Sequence, residues 1–173
     1  MASPTYTAKK GTYEEFLEVF DPEVNDPTDM LFNGLANKDP VTRAAICNDM
    51  LDRGADATVV DYGQNTLTLL LSHDDLGDGD PALVQRLVEA GADVNYRESH
   101  GDTPIKLAVK IGAESDEQRR PIYEALFSKD VDLDEPSSVR NPKNKIGEWL
   151  RMCVDHQPEG LKVLDEFLTA RGF

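Results

Sequence analysis

Residues Leu87–Val109 read LVEAGADVNYRESHGDTPIKLAV. They contain the end of an apolar helix, a turn, an extended connection and the start of another helix. Gly91-Ala92-Asp93 supplies turn chemistry directly after Leu87 and Val88. Thr103 then offers a capping hydroxyl, and Pro104 occupies the first helical position, where its missing N–H costs nothing. A second copy stands upstream: Gly54-Ala55-Asp56 precedes Gly91-Ala92-Asp93 by 37 positions. Gly63–Leu71 lies over Gly101–Val109 without a gap, with Asn65 in the capping place and Leu67 in that of Ile105.

An apolar signature at i, i+1, i+4, i+5 precedes each Gly-Ala-Asp, as Ile46, Cys47, Met50, Leu51 and as Leu83, Val84, Leu87, Val88. It returns as Ile122, Tyr123, Leu126, Phe127 and as Val163, Leu164, Phe167, Leu168, with offsets of 37, 39 and 41 residues. That spacing is one buried stripe of an α-helix. A further helix is expected before each stripe, starting near Thr28 (with Pro27 before its cap), Asn65, Thr103 and Asn144. The repeating unit is therefore helix, connection, helix, turn and extended segment.

GDTPIKLAV together with LVEAGADVNYRE resembles the ankyrin repeat, whose pattern runs G-x-T-P-L-x-x-A and later L-x-x-G-A-D-V-N. The resemblance covers residues 26–173 and implies an all-α ankyrin-repeat solenoid. About four helix-turn-helix repeats are expected, at 26–61, 62–97, 98–135 and 136–173, after a tail and capping helix in 1–25. The third repeat carries Lys129-Asp130-Val131-Asp132-Leu133 where Gly-Ala-Asp should stand, and the fourth lacks Thr-Pro. The family period is about 33, shorter than the spacing here. The excess falls in two polar inter-helix insertions, 72–81 and 111–121, each ending in a proline suited to starting the second helix. They read equally as a binding face or as tolerated surface loops. Thr12 to Phe20 reads as a short amphipathic helix covering the open end of the stack, or alternatively as a partner-recognition helix.

The chain has 173 residues, 39% of them hydrophobic, enough for one domain-sized core. Its 33 acidic against 18 basic side chains give a net charge of −15, which argues against nucleic acid and anionic membrane surfaces as partners. The surplus is uneven: residues 1–139 hold 12 basic and 28 acidic side chains, residues 140–173 hold 6 and 5. A basic protein partner follows as an expectation. Cys47 and Cys153 both lie in apolar-periodic segments and read as core residues. With no apolar run of membrane-spanning length, no signal-like apolar segment near residue 1 and no Asn-x-Ser/Thr site, the expectation is a cytoplasmic monomer.

Catalytic signals are sparse. His73-Asp74 looks like the centre of a metal-hydrolase pair, without flanking support. The run Asp74–Asp80 fits an EF-hand loop at Asp74, Asp78 and Gly79 but fails at Leu76 and Gln85. Phosphate-loop and nucleophile-elbow motifs are missing. His156 reads as a turn residue between the last two helices. Neither a cofactor, a metal nor a catalytic residue is expected. The ankyrin resemblance implies recognition on a concave surface made of turn tips and the exposed side of the first helices. The tips are Val60–Gln64 and Tyr96–His100, and Thr68, Ser72, Lys106 and Lys110 are read as exposed first-helix positions. The candidate partner-binding residues are therefore Tyr62, Gln64, Tyr96, Arg97, His100, Lys106 and Lys110, with Trp149 read as core. The expected function is non-catalytic protein binding, with a bacterial immunity protein that neutralises a basic toxin as one form. A small metal-dependent enzyme around His73, or an acidic scaffold subunit, stands as the alternative.

Overall fold

A computed structural model describes residues 1–140 and 142–173 of the chain. Helices come in pairs: α1 (Pro4–Lys10) and α2 (Tyr13–Val19), α3 (Pro27–Leu35) and α4 (Pro40–Asp52), α5 (Thr66–Leu71) and α6 (Asp80–Glu89), α7 (Pro104–Lys110) and α8 (Asp116–Phe127), α9 (Ile146–His156) and α10 (Lys162–Thr169). The protein is mostly helical. A two-residue antiparallel pair, β1 (Val60–Asp61) with β2 (Gln64–Asn65), pairs Val60 with Asn65 and Asp61 with Gln64. No helix among the described residues is long and apolar enough to cross a membrane.

Two layers result. The first helices α1, α3, α5 and α7 pack in succession, and so do the second helices α2, α4, α6, α8 and α10. The four apolar stripes lie on α4, α6, α8 and α10, and of their positions only Leu51 and Phe167 stay partly exposed. Each buried Leu, Val or Ile contributes roughly 1.5–3 kcal/mol, so the stripes are the main cement of the stack. First-helix residues Leu31, Leu67, Ile105 and Ile146 meet them in the same core.

The second helices end alike. Gly54 and Gly91 adopt left-handed backbone (φ 87° and 103°), and Asp130 takes the corresponding position at φ 55°. Aspartate is among the few side chains that tolerate this region. The turn then repeats: Asp56, Asp93 and Asp132 accept from the amides of Thr58, Asn95 and Asp134 at 2.8, 2.9 and 2.9 Å. The third turn, which departs from Gly-Ala-Asp in sequence, thus keeps the same local geometry.

Several local expectations change. The segment before Thr12 is helical: Ser3 caps α1, and Asn37 donates to the carbonyls of Ala8 (2.9 Å) and Gly11 (3.1 Å), holding α1 and α2 as a pair on α3. Helix α3 starts at Pro27 with Asp26 as its cap, which leaves the Thr28 hydroxyl to accept the Asp56 amide at 2.9 Å. Asn65 caps α5, accepting the Thr68 amide at 2.9 Å. Thr103 stands at the N-cap of α7 without capping it, its hydroxyl buried and unbonded. Helix α8 begins at Asp116, so Pro121 lies inside it instead of starting it. The two insertions pair with each other, Leu76 donating to Gly112 and Gly112 to Asp74, both at 2.8 Å.

Candidate partner-binding surface

Three connections lie side by side along one edge of the stack. The first is the β1–β2 hairpin, whose two central residues, Tyr62 (φ 49°) and Gly63 (φ 71°), have the backbone of a type I′ turn. This turn directs Tyr62 into solvent, where it is 87% exposed, next to Val60 at 52%. A Cβ on Gly63 would lie 2.8 Å from that of Ser99, so the hairpin fits closely on the second connection, and the Ser99 amide donates to the Gly63 carbonyl at 3.0 Å. The second connection, 96–103, is tied in turn to the third, 136–145, by Arg97. Its guanidinium donates to the carbonyls of Gly101 (2.7 Å) and Pro136 (2.6 Å). Val139 on the third is 71% exposed. The three are mutually bonded and hold their outward side chains at little further entropic cost.

Arg97 is therefore a tie between connections and not the free contact residue expected. Gln64 is only half-exposed, with its side-chain oxygen buried and unbonded, and Tyr96 is also half-exposed. His100 is exposed and donates from Nδ1 to Glu98 at 2.8 Å. Burial pushes the Glu98 carboxyl up, but the Asp102 amide and His100 outweigh it and hold it below the usual range.

On the first helices, two positions read as exposed are buried. Thr68 is fully enclosed because its hydroxyl returns the capping bond to the Asn65 amide at 2.9 Å. Lys106 is only 6% exposed: it pairs with Asp102 at 3.0 Å, donates to the Ser137 carbonyl, and stands 5.0 Å above the Trp149 ring. Ser72 is exposed, donating to the Leu69 carbonyl at 2.8 Å. Lys110 is half-exposed, 2.8 Å from Asp102 and 5.8 Å from the Trp149 centroid. Burial pushes the Asp102 carboxyl up, yet the Lys110 and Lys106 ammoniums win and hold it below the usual carboxylate range. Trp149 is half-buried and forms part of the wall of a cavity of about 460 Å³ between α7, α9 and the start of α10.

Val60, named in the first turn tip but not among the candidate binding residues, is exposed and apolar, as are Val139 and Met152, which the sequence reading passed over. Val60 precedes a Tyr-Gly turn signal that was legible. Val139 sits in a polar stretch with no periodicity to mark it. His73 is half-buried, its Nε2 2.7 Å from the Leu35 carbonyl. Asp80, at the end of the acidic run, is wholly buried against Arg43. Among the described residues no three His, Cys, Asp or Glu side chains come together in a way that could hold a metal ion.

No family model matches the chain, and no curated protein does. A solved structure with a similar fold is the crystal structure of a functionally unknown protein from Leptotrichia buccalis C-1013-b. The TM-score is 0.75 at 21% identity, over 99% of this chain and 95% of that one. At that identity the likeness concerns the fold alone.

Proposed function

We propose that the chain is a non-catalytic protein-binding module, an ankyrin-type solenoid that recognises a basic protein without any cofactor. The observation that carries this reading is Tyr62: a large aromatic, 87% exposed, fixed in left-handed backbone on a hairpin that is bonded to its neighbour. Tyrosine buries much area at modest entropic cost, which suits a rigidly held recognition residue. Val60 and Val139 extend the apolar contact, and the exposed Asp61, next to Val60 on the hairpin, supplies complementary charge for a basic partner. Lys110 and His100 present their exposed ends to solvent while paired with Asp102 and Glu98. Lys106 and Arg97 serve it by holding the connections in place, through the Ser137 and Pro136 carbonyls. A cytoplasmic immunity protein neutralising a basic toxin is the form that size and charge favour.

The test is copurification from the native host with identification of the bound protein, followed by affinity measurement on variants. Tyr62→Ser should weaken binding at least about tenfold, whereas Tyr6→Ser on α1 should leave it unchanged. A tight complex insensitive to Tyr62→Ser would overturn the reading, as would an acidic partner.

A further inference from the structure

The cavity between α7 and α9 differs chemically from the rest of this acidic chain. Its walls carry Lys110, Arg119 and His156, with Val109, Trp149 and Met152 among the apolar side chains, and no carboxylate lines it among the described residues. Behind Lys110, one carboxylate serves two ammoniums: Asp102 pairs with both Lys106 and Lys110. The cluster therefore carries one positive charge without a partner, held against an indole face. Arg119 adds to it. Its residue is 9% exposed; Nη2 donates to the Ile111 carbonyl at 2.5 Å and Nη1 meets Asp116 at 3.5 Å, but Nε has no hydrogen-bond partner. A buried guanidinium with an unused donor is costly in isolation. The volume of about 460 Å³ lies within the range of small-molecule sites, roughly 300–1,000 Å³.

We propose that this cavity binds a small organic carboxylate with an aromatic or branched apolar body. Lys110 meets the carboxylate, with Arg119 and His156 adding positive or donor groups to the same wall. The apolar body lies against Trp149, Met152 and Val109. The site shares Lys110 with the candidate partner-binding residues but takes no residue from the three connections, so Tyr62→Ser should leave it intact.

Trp149 is the sole tryptophan of the chain and stands in the cavity wall, so its fluorescence reports on this site alone. Phenylacetate should change the Trp149 emission saturably. Phenylacetamide, of the same shape but uncharged, should bind about tenfold more weakly, the loss of one charge-assisted hydrogen bond. Lys110→Gln should abolish that preference, compared as affinities because removing the ammonium alters the baseline emission. Met152→Glu, which sets a carboxylate at the exposed rim, should weaken phenylacetate further. A flat titration, equal affinity for acid and amide, or an unchanged preference in Lys110→Gln would each overturn the proposal.

Discussion

Two junctions between second helices, α4 with α6 and α8 with α10, handle buried charge differently. Three residues before the apolar stripes stand Arg43, Asp80, Arg119 and Gly160. At the first junction the repeat-equivalent residues pair directly. Arg43 Nε and Nη2 donate to the two oxygens of Asp80 at 3.0 and 2.6 Å, with exposures of 1% and 0%. At the second junction Arg119 would face Gly160, which has no side chain to offer. Asp116, the first residue of α8 and six positions before its stripe as Pro40 is on α4, takes both roles instead. It lies beside Arg119, accepts the Tyr123 hydroxyl at 2.7 Å, and accepts the first free amides of α10 from Val163 (2.8 Å) and Leu164 (2.9 Å). Helix α10 has no capping side chain of its own, so Asp116 caps it from the neighbouring helix. A stack of helix pairs can therefore exchange an ion pair for a borrowed cap while keeping its stacking register.

The largest expected effect breaks the first junction. Asp80→Ala leaves the Arg43 charge buried and frees the Gly77 amide, which Asp80 accepts at 2.7 Å. Loss of one partner of such a pair costs about 3–5 kcal/mol, a large part of an ordinary domain's stability. Urea unfolding should show the midpoint falling accordingly. Arg43→Met combined with Asp80→Leu should recover most of that loss, because the desolvation of both charges disappears with them. A double variant as unstable as Asp80→Ala would mean that the packing around the pair, and not the unpaired charge, sets the cost.

Breaking the second junction should cost less and act locally. Asp116→Ala leaves two amides of α10 and the Tyr123 hydroxyl without acceptors, about 2–4 kcal/mol in all. Arg119 loses only a 3.5 Å partner and keeps its bond to the Ile111 carbonyl. Hydrogen exchange should show the α10 amides losing protection while those of α4 and α6 keep theirs. Uniform loss across the chain would instead make the two junctions one cooperative unit. Tyr123→Phe sharpens the comparison further. It removes a single bond to Asp116 without changing the core volume much, and should cost about 1 kcal/mol. Burial pushes the Tyr123 hydroxyl well above its ordinary pKa, so this bond is neutral-donor across the working range.

The stripes were legible because apolar spacing is set by helix geometry within one segment. Asp130, in the place of glycine, was legible only as a departure, since the backbone it adopts is shared with residues of another type. The buried polar residues were harder. Lys106 and Thr68 were read as exposed because both are polar and face away from their own helix's stripe. The Asn65–Thr68 capping box and the four-residue spacing of Asp102 and Lys106 are local and were within reach of the sequence. The Ser137 carbonyl that encloses Lys106 is 31 positions away, and sequence spacing does not relate it to the helix. The same holds for Arg97, whose carbonyl partner at Pro136 is 39 positions away. The column Arg43, Asp80, Arg119 could be read once the stripes were aligned, but the column alone does not say which neighbours pair. Helix α1 left almost no trace, because only Thr7 and Ala8 of its seven residues are buried.

The smallest expected effect separates the junctions by pH. His73 lies beside the first: burial pushes its pKa down, the Leu35 carbonyl bonded to Nε2 and the Asp80 and Asp74 charges pull it up, and the Arg43 charge adds to the fall. The net direction is downward, so the unfolded chain binds a proton to His73 before the folded one does. Stability therefore falls as pH drops through the ordinary histidine value of about 6.5, and the loss is complete once pH lies below the folded pKa. No histidine is hydrogen-bonded to Asp116 at the second junction. His73→Gln keeps a donor able to reach the Leu35 carbonyl and removes the titration. Urea midpoints measured between neutral pH and mildly acidic pH should slope less steeply in His73→Gln than in the native chain. In Tyr123→Phe, at the other junction, the native slope should persist. If His73→Gln keeps the native slope too, the acid sensitivity in that window does not come from His73, and the first junction is as indifferent to mild acid as the second.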